Sequence, residues 1–293
     1  VIDAVLGALV RALFALMRVL GSRGGPAVGS FLARKLGRLI KADRIGLENL
    51  RASFSEHDAA WHRARLDEAW DNLGRTACEY VHMDAIWDFD PEAPREDGRI
   101  LIAPEVVARF KTLLDDGKPA LIFASHLANW ELPMIAAAKH KLPAAALYRT
   151  PNSRAIAREI LRLRAGSMGE LIPAGLAAPL RMADALERGL HVGMLVDQRF
   201  GRGPRITFLG REAAANPLIA QLARRFDCPV HGARAIRLPG GRFRLDLTDA
   251  LELPRDAEGR VEVDGATAAM NRVIEGWIRE HPGQWLWMHR RWR

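Results

Sequence analysis

From residue 119 to residue 196 the chain repeats one unit: a short apolar run, a turn, then a segment with helical spacing. Parallel strands need a crossover of about a dozen residues between them, and a helix supplies it, so this repetition limits the folds open to the chain. "PALIFAS" reads as a strand, the residues after Asn129 as a helix, and "PAAALY" as a strand. "NSRAIAREILRLRAG" reads as a helix with Asn152 or Ser153 as N-cap and Gly166 past its end. "ELIPA" is a short strand, "AAPLRMADALERG" a helix closed by Gly189, and "HVGMLV" a strand. Beyond them come a strand or edge segment, "RITFLG", and a helix, "NPLIAQLARRF", capped by Asn216 with Pro217 at its first position. "PVHGARAIRL" and "RFRLDL" flank "PGG" as a hairpin, and a last helix over about 266–280 precedes the tail "HPGQWLWMHRRWR". Helical periodicity also marks residues 58–87, which end in the loop "DFDPEAPREDG". With no internal sequence repeat or interdomain linker in 293 residues, only this alternation of element types, the expectation is one α/β domain over 23–293, a largely parallel sheet flanked by helices.

Residues 1–22 are read apart from that domain, as a membrane-associated amphipathic helix. Asp3, Arg11 and Arg18 interrupt the most apolar stretch of the chain, and on a helical wheel they fall within roughly 80° of one another. No run of about 18 uncharged residues exists, so the pattern suits a helix lying in an interface better than one crossing it. An arginine splits the apolar region and no convincing cleavage site follows, which argues against a signal peptide. A helix packed on its own domain is the alternative. In "ARKLGRLIKADR", Arg34, Arg38 and Lys41 share a helical face that meets either anionic head groups or solvent. The net charge of +8 calls for an anionic partner: nucleic acid, an acidic protein or phosphate-bearing lipid. Dispersed basic residues without a nucleic-acid motif argue against the first. Cys78 and Cys228 are solitary, have no metal-ligand spacing and read as core filler in a reducing compartment.

In open α/β sheets the active crevice lies outside the carboxyl ends of the strands. His126 follows "LIFAS", Tyr148 and Arg149 follow "AAAL", and Asp197, Gln198 and Arg199 follow "HVGMLV". Three successive strand ends thus carry polar groups, and a site is expected there. His126 stands five residues before Glu131, which in a continuous helix would place them about 140° apart. They meet only if His126 sits in the turn ahead of the helix. The glutamate then accepts a hydrogen bond from one imidazole nitrogen, fixing the tautomer and leaving the other as a general base for an alcohol. A capping histidine beside a solvated glutamate is the alternative. The spacing is not that of a zinc site, and there is no nucleophile elbow or phosphate loop. Arg164 falls among Ile156, Ala157, Ile160 and Leu163 on an apolar flank, so it needs either an internal acid or an anionic substrate.

"SHLANWE" resembles the His-x4-Asp/Glu block of the bacterial lysophospholipid acyltransferase superfamily, and its Asn-Trp-Glu form is similar to that of the late lipid A acyltransferases. The likeness runs through "YRTPN", "LRLRAG", "DQRFG", "ITFLGREAAAN" and "QWLWMHRRWR", across essentially the whole chain. It departs at Ser125 and Ala128, where the family usually carries glycines, so a slightly altered turn is expected and not a lost site. The resemblance implies a glycerol-phosphate-acyltransferase-like fold. It implies acyl transfer from an acyl-acyl carrier protein, or less often acyl-CoA, to a hydroxyl of a phosphorylated glycolipid, a lipid A precursor, at the cytoplasmic face of the bacterial inner membrane. It makes His126 the base and Glu131 its orienting carboxylate. Asn129 and Trp130 shape the pocket, Arg164 binds phosphate or steadies the oxyanion, and Asp197 lies near the site. No metal or cofactor is implied, because a thioester is already activated. Trp285, Trp287 and Trp292 among His289, Arg290, Arg291 and Arg293 form either an interfacial cluster or a core closure. Another glycolipid, phospholipid or amino-acid-lipid acceptor, or a non-catalytic membrane-binding protein, remains open.

Overall fold

A computed structural model describes residues 2–150, 153–165 and 168–292, without the side chains of 2–6, 154–156, 164 and 165. The N-terminal third is helical: α1 (Ile2–Gly37), α2 (Lys41–Ser53), α3 (Ala59–Glu79) and α4 (Met83–Ile86). The rest alternates, and from β2 on in the order the sequence leads one to expect: β1 (Ile100–Ile102), α5 (Pro104–Asp115), β2 (Leu121–Ala124), α6 (Leu132–Lys139), β3 (Ala144–Tyr148), α7 (Arg154–Ala165), β4 (Glu170–Pro173), α8 (Ala178–Glu187) and β5 (His191–Leu195). Then follow β6 (Arg205–Phe208), β7 (Arg211–Ala214), α9 (Leu218–Phe226), β8 (Val230–Leu238), β9 (Arg242–Leu247) and α10 (Val263–Glu280).

Seven strands form one sheet in the order β1-β9-β8-β2-β5-β3-β4, and β6 pairs with β7 in a small separate ribbon. Pairing is parallel throughout the large sheet except at β8–β9, the hairpin around Pro239 to Gly241. Side chains alternate between its faces. Leu121, Phe123, Val192 and Met194 pack against Met182, Leu186, Ile219, Leu222 and Ile274 of α8, α9 and α10. On the other face Ala144, Ala233 and Leu247 lie against Val106, Leu113 and Ala137 of α5 and α6. The chain therefore leaves adjacent strands β2 and β5 toward opposite faces, into α6 and toward α9, which opens a crevice at their carboxyl ends.

The first helix does not stop near residue 22. It bends at Gly21, where φ is +74°, and continues to Gly37. The second limb presses on α3 at two glycines: a Cβ added to Gly29 would lie 2.4 Å from the Gly74 carbonyl oxygen, and one on Gly74 2.3 Å from that of Gly29. Apolar side chains of both limbs, from Leu9 to Leu36, face outward. Among the described residues no helix is long and apolar enough to cross a membrane.

At the other terminus the interfacial reading of the tryptophan cluster is overturned. Trp285, Trp287 and Arg291 are wholly buried. Arg291 donates from Nη1 to the Ala214 carbonyl at 2.6 Å and from Nη2 to Asn271 Oδ1 at 3.0 Å, which offsets part of the cost of burying its charge. Trp292, half-buried, donates to the Phe208 carbonyl at 3.1 Å. The tail closes the core beneath the crevice.

Candidate active site

His126 and Asp197 stand two residues beyond the ends of β2 and β5, and the register Ala124↔Leu195 brings them side by side. The carboxylate of Asp197, wholly buried, takes His126 Nδ1–H at 2.8 Å on Oδ1 and the His126 backbone N–H at 2.9 Å on Oδ2. A third donor, Trp285 Nε1–H, reaches Oδ2 at 2.7 Å. Burial opposes ionisation of Asp197, but the hydrogen bonds from His126 and the positive charge that His126 and His289 carry when protonated outweigh it and hold the carboxyl well below its ordinary range. Because a carboxylate only accepts, the imidazole carries its proton on Nδ1 and turns the Nε2 lone pair outward. Nε2 lies 3.3 Å from the Gln198 side-chain amide nitrogen, which donates to it.

Glu131 is not the partner of His126, contrary to the sequence expectation. The turn between them has Ala128 in the left-handed region, φ +47°. Glu131 stands at the N-cap of α6, where its Oε1 takes the hydroxyl of Tyr80 from the helical turn that follows α3. The Ala128 peptide is clamped from both sides. Its N–H donates to the Gln284 carbonyl at 3.0 Å, and its carbonyl accepts from Asn72 at 3.0 Å and Thr76 at 3.2 Å. Such a clamp is what sustains a non-glycine residue at positive φ.

Asn129 is also displaced from its expected role. It is wholly buried, donates to Glu79 Oε2 at 2.8 Å and accepts the Glu131 backbone N–H at 3.2 Å. Glu79 in turn takes Arg237 Nη2 at 3.0 Å. Asn129 therefore ties the turn to α3 and forms no part of the pocket wall. Trp130 does line it, with its ring 5.1 Å from that of His126. Tyr148, Arg149 and Gln198 line the mouth, and Asp197 lies behind His126, away from the opening. The side chain of Arg164 lies outside the described residues.

From this mouth a cavity of about 540 Å³ runs down the face of the sheet beneath α5 and α6. Ala144, Ala146, Gly193 and Ala233 leave the room for it on the strands, while Val106, Phe110 and Met134 wall it from the helices. It reaches His140, Leu142 and His191 at the opposite ends of the strands. Small residues in strands read as ordinary core in a linear sequence, so nothing before the fold marked this space. The shape suits a long aliphatic chain whose reactive end lies at His126. No group of three metal-ligating side chains occurs among the described residues.

Fold and site define an α/β protein that sets a histidine and a buried aspartate at the head of an apolar cavity. The chain belongs to the bacterial lipid A biosynthesis acyltransferases, whose family model matches residues 3–293, and is thus an acyltransferase of lipid A synthesis. No curated protein matches the chain.

Proposed function

We propose that the protein transfers a fatty acyl chain from acyl-acyl carrier protein to a hydroxyl of a lipid A precursor, with His126 as general base held by Asp197. The observation that carries this reading is the position of His126 Nε2 at the head of an apolar cavity deep enough to take the donor's hydrocarbon. With the thioester carbonyl beside His126, Nε2 takes the proton of the acceptor hydroxyl as its oxygen attacks the carbonyl carbon. The tetrahedral intermediate collapses, the C–S bond breaks, and the imidazolium returns the proton to the departing thiolate. The products are the ester and the free thiol. Asp197 stabilises the imidazolium in between and keeps the ring oriented.

Arg149, exposed at the mouth, suits a phosphate of the acceptor. Arg164 is proposed, on the family resemblance, to bind phosphate or steady the oxyanion. The outward apolar face of α1 suits attachment to the cytoplasmic face of the inner membrane, and the net charge of +8 suits an acidic carrier.

Incubating the protein with several acyl-carrier species or acyl-CoA and a tetra-acylated lipid A precursor, then weighing the products by mass spectrometry, tests donor and acceptor together. One added acyl mass, lost in His126→Ala, is the expected result. Transfer that persists in His126→Ala sinks the mechanism, and transfer only to another lipid sinks the acceptor.

A further inference from the structure

Apart from Leu114, which lines the cavity, every exposed large hydrophobic residue of the described chain lies either on residues 9–40 or among Leu176, Leu180 and Phe200. Leu176, in the loop that leaves the cavity's rim at Ala174, is 101% exposed, Leu180 in the first turn of α8 is 71% exposed, and Phe200 lines the cavity. Ala174, two residues before Leu176, also lines the cavity, and its backbone N–H donates to the Tyr148 carbonyl at 2.8 Å. We propose that the β4–α8 loop and the first turn of α8, with Phe200, form a second membrane contact that turns the mouth of the cavity toward the bilayer. This rests on the proposed lipid acceptor for its purpose, though not for its evidence.

Topology places the contact. β2, β5, β3 and β4 run parallel, so the loops after all four emerge at the end of the sheet where His126 stands. α8 lies on the face opposite α5 and α6, while α1 packs against α3 and α7, the helix that joins β3 to β4. The mouth therefore opens between two apolar surfaces carried by different parts of the chain. A leucine left wholly in water gains nothing from folding and gains substantially from entering a hydrocarbon layer.

Charge favours a lipid surface as the occupant. The three loops 148–154, 174–181 and 198–205 contain no acidic residue. Arg149, Arg181, Arg199 and Arg202 are exposed there, and none makes an ion pair among the described residues. Apolar tips ringed by unpaired arginines match an anionic bilayer, whose head groups meet the guanidinium groups while the leucines go deeper.

Sedimentation of the full chain with vesicles of phosphatidylcholine, alone or mixed with phosphatidylglycerol, tests the contact. The double variant Leu176→Asp/Leu180→Asp should bind the mixed vesicles roughly tenfold or more weakly than the parent. Both rim side chains are exposed, so thermal melting of the double variant should match the parent and separate lost binding from lost folding. Unchanged partition in the double variant overturns the proposal. So does unchanged partition combined with weakened binding to purified acidic carrier protein, which would make the rim a protein contact. No acyl transfer is measured, so a wrong donor or acceptor leaves the outcome intact.

Discussion

The indole N–H of Trp285 and the imidazole Nδ1–H of His126 meet on one carboxylate, that of Asp197, from distant parts of the chain. Trp285→Phe keeps the ring and removes one donor from a buried charge. Hydrogen bonds to charged groups contribute about 1.5–3 kcal/mol, and chemical denaturation should register a loss of that order, with slower transfer under the same conditions.

Asp197 and Glu131 separate by experiment. Asp197→Asn removes the charge that holds His126 Nδ1–H, and transfer should fall roughly 10²- to 10⁴-fold, as for loss of the base itself. Glu131→Gln alters the contact with Tyr80 and leaves the imidazole's partner in place. The Nδ1 proton resonance of His126 should persist in Glu131→Gln and disappear in Asp197→Asn.

Ala128 occupies a left-handed conformation that costs a non-glycine residue about 1–2 kcal/mol, whereas added glycine entropy in the unfolded chain gives back about 0.4–1. Ala128→Gly should therefore be neutral or stabilising by up to about 1.6 kcal/mol, read as a raised melting temperature with activity retained. A drop in stability would mean that this turn is not strained.

Gly193 lies on the strand side of the cavity, and a Cβ built there meets only the carbonyl oxygens of Ala145 and Ile122, both at 3.9 Å. Gly193→Leu would fill cavity space without displacing backbone. Competition between acyl donors of different length should shift toward shorter chains, with the melting temperature little changed. An unaltered preference would place the acyl chain elsewhere.

Burial lowers the affinity of His140, His191, His281 and His289 for a proton, and His191 Nδ1 accepts the Ala120 backbone N–H at 3.1 Å, as a neutral ring does. Below the ordinary histidine value of 6.5 the unfolded chain binds protons that the folded one refuses, so stability should fall with pH there. Asp197 adds its own loss only lower, as pH drops below the ordinary carboxylate value of 3.8 toward its depressed folded one. Melting followed from about pH 8 to about pH 5 should show the first decline. His191→Asn, whose amide oxygen can still accept from Ala120, should make it shallower and leave the share of the other three histidines.

Local pattern carried much of the architecture. Apolar runs near 121–124, 144–148 and 191–195 became strands, and Gly189, with φ +82°, ends the α8 turn. The hairpin over 230–247 and the helix from 263 follow the same signals. β1 and α5 had no clear mark: a three-residue strand and a helix after a proline-rich loop offer little periodicity to read. The sequence placed a bend in nothing, yet α1 turns at Gly21 and keeps its second limb on α3 through glycines that allow close contact.

At the site, sequence alone determined which strand ends carry polar side chains, since His126, Tyr148, Arg149, Asp197 and Gln198 all follow apolar runs at one end of the sheet. Tertiary structure alone decided which of them pair. Spacing along the chain favoured Glu131, five residues away, but β2 and β5 are hydrogen-bonded neighbours, and that places Asp197, 71 residues on, against the imidazole. Partner choice depends on distance in space, which strand order sets and sequence separation does not.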